Sequence, residues 1–324
     1  MTYCNEEENI LSVIVLSKNN GSTIEATLRS ILKAEVPDDY KMEVIVVDAH
    51  STDNTPEILT KFKNKIKIVY DEGRGIGIAR NIGVLSSNGK YICFVDADCI
   101  VSRDHFKKIL QAFNEGGDIL DINSRFPPNY IRQLKLPKLS QIELSIWKIG
   151  RVSEKRNLKN TCFAGGAFIS FRREVFLKVG GFWEFPPYGA DDLDFSYRAS
   201  KLGYKVRRVN VEKSLALPRF TLRDLLKQQK GWGSGYAYFI GKYRGDACVW
   251  KCYNYPRIIY KIFGKYTWFY TILRLISAPL GALKLTFKLH DIETSLYWIV
   301  RRYAFIYGLL KNLKHAFTYF SIKQ

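Results

Sequence analysis

The first 115 residues alternate strand-like runs, rich in β-branched side chains, with helix-like stretches. The helix-like stretches open on cap residues or on a proline such as Pro56, and the third ends at Asn88-Gly89. A β-α-β-α order predicts a mostly parallel sheet with helices on both faces, which is an α/β fold. The predicted strands are Ser12–Ser17, Glu43–Asp48, Lys65–Asp71 and Tyr91–Asp96, and the predicted helices are Ser22–Ala34, Thr55–Lys63 and Ile76–Ser87.

Aspartates stand where three of these predicted strands end. They are Asp48, Asp71, Asp96 and Asp98. In parallel α/β sheets, ligands bind beyond the carboxyl ends of the strands. Turns also favour aspartate, but a turn preference alone does not explain why the acids share one edge of the sheet. We therefore expect a ligand site at that edge.

Two carboxylates separated by one alanine end the stretch "YICFVDADC" at residues 91–99. Side chains at i and i+2 of an extended chain project to the same side, so Asp96 and Asp98 repel each other unless a cation lies between them. A metal site is one interpretation of this pattern. The other is a turn in which aspartate caps backbone N–H groups, and the motif alone leaves both open.

A glycine-rich piece, Glu72–Gly77, follows the third predicted strand. Its spacing is GxGxG rather than GxGxxG, so it does not predict a dinucleotide site. Glycines that lead into a helix still expose backbone N–H groups to an anion, and Arg74 and Arg80 add positive charge. The sequence thus indicates either a phosphate-binding loop or a plain turn.

The order of the motifs resembles that of the family 2 glycosyltransferases, which have the GT-A fold and are inverting enzymes. The resemblance covers roughly residues 11–210, and an ordered set is far more specific than any single piece. The matching pieces are "SVIVLSKNN" (12–20), "EVIVVDAHSTDNT" (43–55), "GIGIARNIGVLSSNGKYICFVDADC" (75–99), "AGGAFISFRREVFLKVGGF" (164–182) and "GADDLDFSYRASKLGYKV" (189–206).

The resemblance implies a metal-dependent donor site. Asp96-Ala97-Asp98 looks like the family's DXD motif, in which Asp96 and Asp98 hold a divalent cation, Mg²⁺ or Mn²⁺, on the diphosphate of the donor. Asp96 would also touch the ribose and the sugar. A hard cation with oxygen ligands neutralises the charge that develops on a departing diphosphate.

The resemblance also implies which residues meet the nucleoside. Asp48 looks like the acid that contacts the base or the ribose, and Ser17, Lys18 and Asn19 occupy the loop that lies along the nucleoside. We add Arg74 to this donor-binding set, with a UDP- or GDP-sugar as the expected donor. Many relatives have a second acid after the first, whereas this chain has Ala49-His50.

A second acidic group, Asp191-Asp192-Leu193-Asp194, opens a helix-like stretch that runs to Leu202. Helix capping accounts for one or two of the three acids. By resemblance, Asp192 matches the catalytic base and Asp191 its catalytic neighbour. If Asp194 only caps the helix, Asp194→Asn is expected to leave the rate nearly intact.

Three residues are expected to bind the acceptor. They are Gly165 and Gly166 of the motif at 164–182, and Trp232 of "QQKGWGSG" (228–235). The latter is similar to the QxxRW signature of processive members, but Gly231 replaces the arginine, which argues against a processive polymer synthase. Trp232 either stacks on an acceptor sugar or is an ordinary buried aromatic.

The positive charge is concentrated at the C-terminal end. Residues 201–324 contribute 18 of the 19 net positive charges and 25 of the 46 aromatic residues. Two segments, Tyr266–Leu289 and Ser295–Leu310, are too apolar for a nucleic-acid arm and too interrupted by arginine and lysine to span a bilayer. We expect them to lie on a membrane surface. Helices that pack on the main domain are the alternative.

Six cysteines without a CxxC pair predict reduced thiols, and the acidic start at Met1–Ile10 predicts no secretory signal. We therefore expect a cytoplasmic protein, peripheral to the cytoplasmic face of the membrane, with a GT-A domain at 11–215 and a C-terminal helical region at 216–324. The expected acceptor is polyprenyl-linked or another membrane-associated glycan. A nucleotidyltransferase and a non-catalytic protein that binds a membrane surface or nucleic acid remain alternatives.

Overall fold

The computed structural model describes residues 9–125, 137–144, 160–184, 189–218, 221–252, 257–277, 280 and 292–322. These residues form two compact units. The first unit comprises the described parts of 1–127, 157–184 and 192–217. The second comprises the described parts of 128–156, 185–191 and 218–324.

The first unit is built on a mixed sheet. Its strands are β1 (Ile10–Ser17), β2 (Lys41–Asp48), β3 (Lys67–Tyr70), β4 (Tyr91–Phe94), β5 (Cys99–Ile100), β6 (Ile119–Arg125), β7 (Asn160–Thr161), β8 (Ser170–Arg172), β9 (Val206–Glu212) and β10 (Leu215–Ala216). Its helices are α1 (Ile24–Lys33), α2 (Thr55–Thr60), α3 (Ile76–Leu85), α4 (His105–Asn114), α5 (Arg173–Val179) and α6 (Asp191–Lys201), the last of which begins in the second unit.

Eight of the described strands form one sheet in the order β3-β2-β1-β4-β8-β6-β9-β7. β3, β2, β1 and β4 run parallel to one another, and so do β6 and β9. β8 is antiparallel to both of its neighbours, and β7 is antiparallel to β9. The predicted α/β fold with a mostly parallel sheet is confirmed.

Both faces of the sheet are buried, because successive side chains of each strand enter different cores. On β1, Val13 and Val15 join the core that contains Leu28 of α1, whereas Ile14 joins the core that contains Val84 of α3. Full burial of each such side chain stabilises the fold by about 1.5–3 kcal/mol. The near-continuous apolar runs of the first strands follow from this two-sided burial.

The second unit is helical. Its described helices are α7 (Leu222–Tyr243), α8 (Ala247–Cys252), α9 (Arg257–Phe263), α10 (Thr267–Ile276) and α11 (Ile292–Ile322), and residues 138–144 are also helical. A Cβ at Gly233 of α7 would overlap the Phe305 carbonyl, and a Cβ at Gly308 of α11 would overlap the Lys230 carbonyl. Glycines therefore let the backbones of α7 and α11 touch.

The structure describes one of the two apolar C-terminal segments in full and the other in part. Ser295–Leu310 lies within α11, and Thr267–Ile276 is α10, but residues 278–279 and 281–289 of the other segment lie outside the described residues. None of the described helices combines the length and the apolar character that crossing a bilayer requires.

The thiol prediction is partly wrong. Cys162 and Cys252 are each disulfide-bonded, whereas Cys93, Cys99 and Cys248 are free. Sequence spacing does not reveal such bonds, because cysteines far apart in the chain can meet in the fold. Residues 1–8, on which the predicted absence of a secretory signal mostly rests, lie outside the described residues.

Candidate active site

The Asp96-Ala97-Asp98 stretch follows β4 and is held by its backbone. The amide of Asp96 donates to the Ala167 carbonyl at 3.1 Å, and the Ala97 carbonyl accepts the Thr27 hydroxyl at 2.9 Å. Ala97 is buried, whereas Asp96 and Asp98 are half-buried. This alternation agrees with two carboxylates that share one side of the chain.

Two carboxylates alone could supply only part of a metal site. Within the described ranges, no cluster of three or more His, Cys, Asp or Glu side chains is placed to hold a metal ion. Mg²⁺ is usually held by one or two carboxylates together with substrate phosphates. Asp96 and Asp98 fit that mode, in which a diphosphate supplies further oxygen ligands.

Ser17, Lys18 and Asn19 follow one another at the end of β1. The Ser17 hydroxyl is buried and makes no hydrogen bond to a described residue. Asn19 has a φ of 54°, in the left-handed region, and its side-chain oxygen accepts the Thr52 amide at 2.8 Å. The loop after β1 is therefore tied to the loop after β2.

Asp48 ends β2 with its carboxylate fully buried. One carboxylate oxygen accepts the Ser51 amide at 2.9 Å, and the other accepts the Ser51 hydroxyl at 2.6 Å. The carboxylate thus shapes the loop after β2. The predicted contact of Asp48 with the base or the ribose stays a prediction, and its burial favours an indirect role through that loop.

An exposed aromatic pair lies beside Asp48 and was not predicted from the sequence. The rings of His50 and Tyr70 stack with centroids 5.3 Å apart and planes 15° apart. Tyr70 ends β3 and is 58% exposed, and His50 holds a positive φ of 50°. The signal in the sequence was an aromatic residue directly before Asp71, at the same edge of the sheet as Asp48.

The glycine-rich loop after β3 is a tight turn. Asp71 is buried and accepts the Gly73 amide at 2.7 Å, and Gly73 has a φ of 66°. A Cβ at Gly73 would lie 3.5 Å from the Lys18 ammonium nitrogen, so Lys18 reaches this loop. Arg74 is exposed and pairs with Glu72 at 3.2 Å.

Gly166 lies close to both the Arg80 guanidinium and the predicted base, Asp192. A Cβ at Gly166 would lie 2.6 Å from Nη2 of Arg80 and 3.0 Å from Oδ2 of Asp192. The Arg80 guanidinium and the Asp192 carboxylate therefore flank the same glycine. Side chains distant in sequence meet at this point because α3, the 165–167 segment and α6 converge on it.

Arg80 is 3% exposed and is held from two sides. Its Nη1 and Nη2 both lie 3.3 Å from the Gly166 carbonyl, to which they donate. The guanidinium carbon is 4.7 Å from the centre of the Phe94 ring and 5.4 Å from that of Phe182. The sequence had suggested that Arg80 adds charge to the glycine-rich loop, whereas its burial places it beside Asp192.

The three acids of α6 differ in environment. Asp191 is 4% exposed, whereas Asp192 is half-buried. Asp194 is fully buried and pairs with Arg198 at 2.7 Å. Asp194 therefore does more than cap the helix, because it is the fourth residue of α6 and its carboxylate is used by this i,i+4 ion pair.

Gly165 is exposed, and its amide donates to Oδ1 of Asp121 at 3.0 Å. Arg208 holds the other oxygen of Asp121 at 2.7 Å. The next two residues contact the two predicted catalytic regions. Gly166 adjoins the Asp192 carboxylate, and the Ala167 carbonyl accepts the backbone amide of Asp96. The 165–167 segment therefore lies between Asp192 and Asp96.

Trp232, the third predicted acceptor residue, belongs to α7 in the second unit and is half-buried. A Cβ at Gly189 would lie 3.6 Å from its indole Cδ1. Its partial exposure is compatible with a contact to a ligand, and the predicted role in acceptor binding stays a prediction.

The fold is the GT-A fold of a solved glycosyltransferase. The structure titled "Mannosyltransferase PcManGT from Pyrobaculum calidifontis in complex with GDP-Man and Mn2+" superposes with a TM-score of 0.59 and 21% sequence identity. The match covers 94% of this chain and 86% of the other. At this identity the likeness concerns the fold.

The family is shown by sequence. The model described as "Glycosyl transferase family 2" matches residues 12–180, which is more than half of the chain. The chain therefore belongs to glycosyl transferase family 2, as the order of its motifs predicted.

The chain is also similar to curated poly-beta-1,6-N-acetyl-D-glucosamine synthases. It is 25% identical over 229 residues to the protein of Staphylococcus aureus (strain COL) and 24% identical to that of Staphylococcus epidermidis. Each match covers 69% of this chain and 54% of the relative. The chain thus spans about half the length of these relatives.

Proposed function

We propose that the chain is a metal-dependent, inverting glycosyltransferase that moves a sugar from a UDP- or GDP-sugar to an acceptor hydroxyl or phosphate. The observation that carries the proposal is the 165–167 segment, which adjoins Asp192 on one side and binds the amide of Asp96 on the other. An in-line displacement requires the base and the leaving group to lie on opposite sides of the sugar, as in inverting glycosidases.

In this proposal Asp96 and Asp98 hold a Mg²⁺ or Mn²⁺ ion on the donor diphosphate. The bound cation neutralises the charge that develops on the leaving group. The solved mannosyltransferase with a similar fold contains Mn²⁺ and GDP-Man, which supports the choice of cation. Lys18 and the Gly73 turn lie beside each other, so a positive charge is available next to this loop.

Asp192 takes the proton from the acceptor hydroxyl. A base must be able to reach its substrate, and Asp192 is half-buried whereas Asp191 is almost fully buried. The Arg80 guanidinium and the Asp192 carboxylate adjoin the same glycine, Gly166, so a positive charge lies near the proposed base. Asp191 supports the start of α6 in this arrangement.

The nucleoside lies against the loops that follow β1 and β2. Ser17, Lys18 and Asn19 line its path, Asp48 holds the β2 loop, and Arg74 can exchange its exposed partner Glu72 for a phosphate. Exposed ion pairs contribute only about 0–1 kcal/mol, so such an exchange is inexpensive.

The acceptor is membrane-associated in this proposal, and Gly165, Gly166 and Trp232 are its contacts. An exposed apolar stripe on α11 supports the membrane surface: its members lie 3 or 4 residues apart, and Lys311 and Lys314 extend the same face. The stripe consists of Leu296, Val300, Tyr303, Tyr307 and Leu310, which are 41–56% exposed. Attachment to the cytoplasmic face of the membrane, without nucleic acid, follows from this proposal.

The test of catalysis is Asp192→Asn, which keeps the shape of the side chain but removes its basicity. Turnover is expected to fall by roughly 100-fold or more with little change in donor affinity. Chelator is expected to abolish donor binding, and Mn²⁺ to restore it. The anomeric configuration of the product, read by NMR, is expected to be inverted.

Three results would contradict the proposal: normal turnover of Asp192→Asn, a retained configuration, or undiminished donor binding in excess chelator. Release of pyrophosphate from a nucleoside triphosphate would identify the nucleotidyltransferase alternative. Asp194→Asn serves as a comparison, because the buried pair with Arg198 affects folding rather than proton transfer.

A further inference from the structure

The outer side of α7 combines leucines with cations around a shallow depression of about 530 Å³. The described residues that line it are four apart in two rows, 222-226-230 and 223-227, so they share one face of the helix. None of them is acidic. They are Leu222, Arg223, Leu226, Lys227 and Lys230, and we call them the α7 basic face.

The opposite side of α7 is packed. Leu225 is fully buried and joins a cluster with Tyr297 of α11, whose hydroxyl donates to the buried Glu143 carboxylate at 2.7 Å. Leu222 on the outer side is 47% exposed, and Leu226 is half-buried. The α7 basic face is therefore separate from the packed side and keeps an apolar side chain in solvent.

The cations of the α7 basic face lack acidic partners in the described part of the chain. Arg223, Lys227 and Lys230 are exposed, and none of them forms an ion pair with a described residue. The nearest acid in sequence is Asp224, whose carboxylate accepts the Thr221 hydroxyl at 2.6 Å. Like charges four residues apart destabilise a helix, so an anion bound to this face would relieve their repulsion.

The α7 basic face continues into the exposed apolar stripe on α11. The Lys230 ammonium nitrogen lies 5.3 Å from the centre of the Tyr307 ring, and Tyr307 is a 55% exposed member of that stripe. A Cβ at Gly308, the next residue, would overlap the Lys230 carbonyl, so the two helices touch at this point. Cations, leucines and tyrosines therefore form one continuous surface of the second unit.

This combination suits the headgroup layer of an anionic bilayer. Lysine and arginine place their charge at the end of long apolar stems, which lets the stem lie along apolar material while the charge stays in water. Basic side chains beside exposed leucine and tyrosine are typical of helices that lie in the membrane interface. Sites for single-stranded nucleic acid instead pair cations with aromatic rings on which bases stack, and leucines offer no such ring.

We propose that the α7 basic face binds the phosphate groups of anionic phospholipids in a bilayer. Arg223, Lys227 and Lys230 contact the phosphates, and Leu222 and Leu226 insert between the headgroups. The proposal rests on the proposed function, in which the acceptor is membrane-associated. It adds the class of lipid that the second unit recognises and the helix that recognises it.

The experiment measures cosedimentation of the full chain with vesicles of phosphatidylcholine, with and without phosphatidylglycerol. The test variant is Arg223→Gln/Lys227→Gln/Lys230→Gln. A cation near an anionic surface contributes a factor of roughly 5 to binding, so we expect the variant to bind phosphatidylglycerol vesicles about 20-fold more weakly or less tightly still. Unchanged binding would overturn the proposal.

The matched control is Lys61→Gln/Lys63→Gln/Lys65→Gln, which removes the same charge from three exposed lysines of the first unit. We expect it to change vesicle binding less than about 3-fold, because salt screens charges outside the contact. Equal losses in the control and the test variant would overturn the proposal, since net charge rather than the α7 basic face would then govern binding.

Two further variants separate charge from shape and from apolar insertion. Arg223→Lys/Lys227→Arg/Lys230→Arg keeps the charges and is expected to bind within about 3-fold of the unmodified chain. Leu222→Gln is expected to weaken binding several-fold, with a loss that persists at high salt, because apolar insertion is not screened. Full binding by Leu222→Gln, with loss of single-stranded oligonucleotide binding in the glutamine triple variant, would assign the face to nucleic acid and overturn the proposal.

Failure here is distinguishable from failure of the proposed function. Nucleoside diphosphate binding with Mn²⁺ and the melting temperature are measured on the same variants and are expected to stay near those of the unmodified chain, because exposed substitutions change stability little. Vesicle binding that survives in the glutamine triple variant would overturn this inference alone. Absence of vesicle binding in the unmodified chain would contradict the membrane-associated acceptor of the proposed function as well.

Discussion

Replacing Gly166 by alanine is expected to slow sugar transfer while the fold and the donor affinity stay nearly intact. The new Cβ would lie 2.6 Å from Nη2 of Arg80 and 3.0 Å from Oδ2 of Asp192. Both atoms are at the ends of flexible side chains, so the side chains move and the backbone remains in place.

The size of the movement sets the size of the effect. To restore a contact near 3.4 Å, the guanidinium nitrogen must shift by about 0.8 Å and the carboxylate oxygen by about 0.4 Å. A misplacement of about 1 Å can reduce a rate by roughly 100-fold, so we expect a loss of about 10- to 100-fold in kcat. Overpacking by one methyl group costs about 1 kcal/mol of stability here.

Gly245→Ala is the matched control. Its Cβ would meet no described atom within 4 Å, and Gly245 is not one of the proposed site residues. The assay compares initial rates, nucleoside diphosphate affinity and melting temperature for both variants. Equal rates for Gly245→Ala and Gly166→Ala, with both proteins folded, would refute the placement of Asp192 and Arg80 at the reacting centre.

Three further perturbations test other parts of the structure. Burial lowers the pKa of His105 to about 3, whereas its value in the unfolded chain is about 6.5. The unfolded chain therefore binds the extra proton, and stability falls as the pH drops below about 6.5. Urea unfolding should show a loss of about 2 kcal/mol from this group between pH 7 and 5, and His105→Asn should lack that loss. Gly308→Ala, whose Cβ would meet the Lys230 backbone, should lower the melting temperature by several degrees, because overpacking costs about 1–3 kcal/mol. Gly245→Ala, whose Cβ would have no described atom within 4 Å, should not lower it. Equal melting temperatures of the two variants would contradict the close α7–α11 contact. Replacing Val300 and Tyr303 by serine should weaken binding to anionic liposomes by more than 10-fold with little change in stability, and unchanged sedimentation with the vesicles would exclude the stripe as the membrane contact.

Local patterns in the sequence were sufficient to predict the first four strands of the sheet. The predicted strand at 12–17 lies within β1, and the predicted strand at 43–48 covers most of β2. Strands that are buried on both faces show a near-continuous apolar run in the sequence, which makes them recognisable. The positions of Asp48, Asp71, Asp96 and Asp98 at one edge followed from the parallel order. These features depend on spacing within a few residues, which a sequence displays directly.

Contacts between distant residues were not predictable in the same way. Arg80 meets Gly166 and Asp192 across about a hundred residues, so its residue type indicated charge but not its buried position. The pair between Glu143 and Tyr297 spans 154 residues. The ion pair of Asp194 with Arg198 is a different case. Its i,i+4 spacing is visible in the sequence, but helix capping explains an acid near the start of a helix equally well.

The short segment at 165–167 has a consequence for the order of events during turnover. A single peptide bond connects the carbonyl that holds the Asp96 amide to the glycine that adjoins Asp192. Restricting the motion of one end of so short a connection also restricts the other, since the two share the same few backbone torsions. In the proposed mechanism, occupation of the cation site would therefore reduce the entropy that Asp192 must lose before it accepts a proton, which favours binding of the donor before the acceptor.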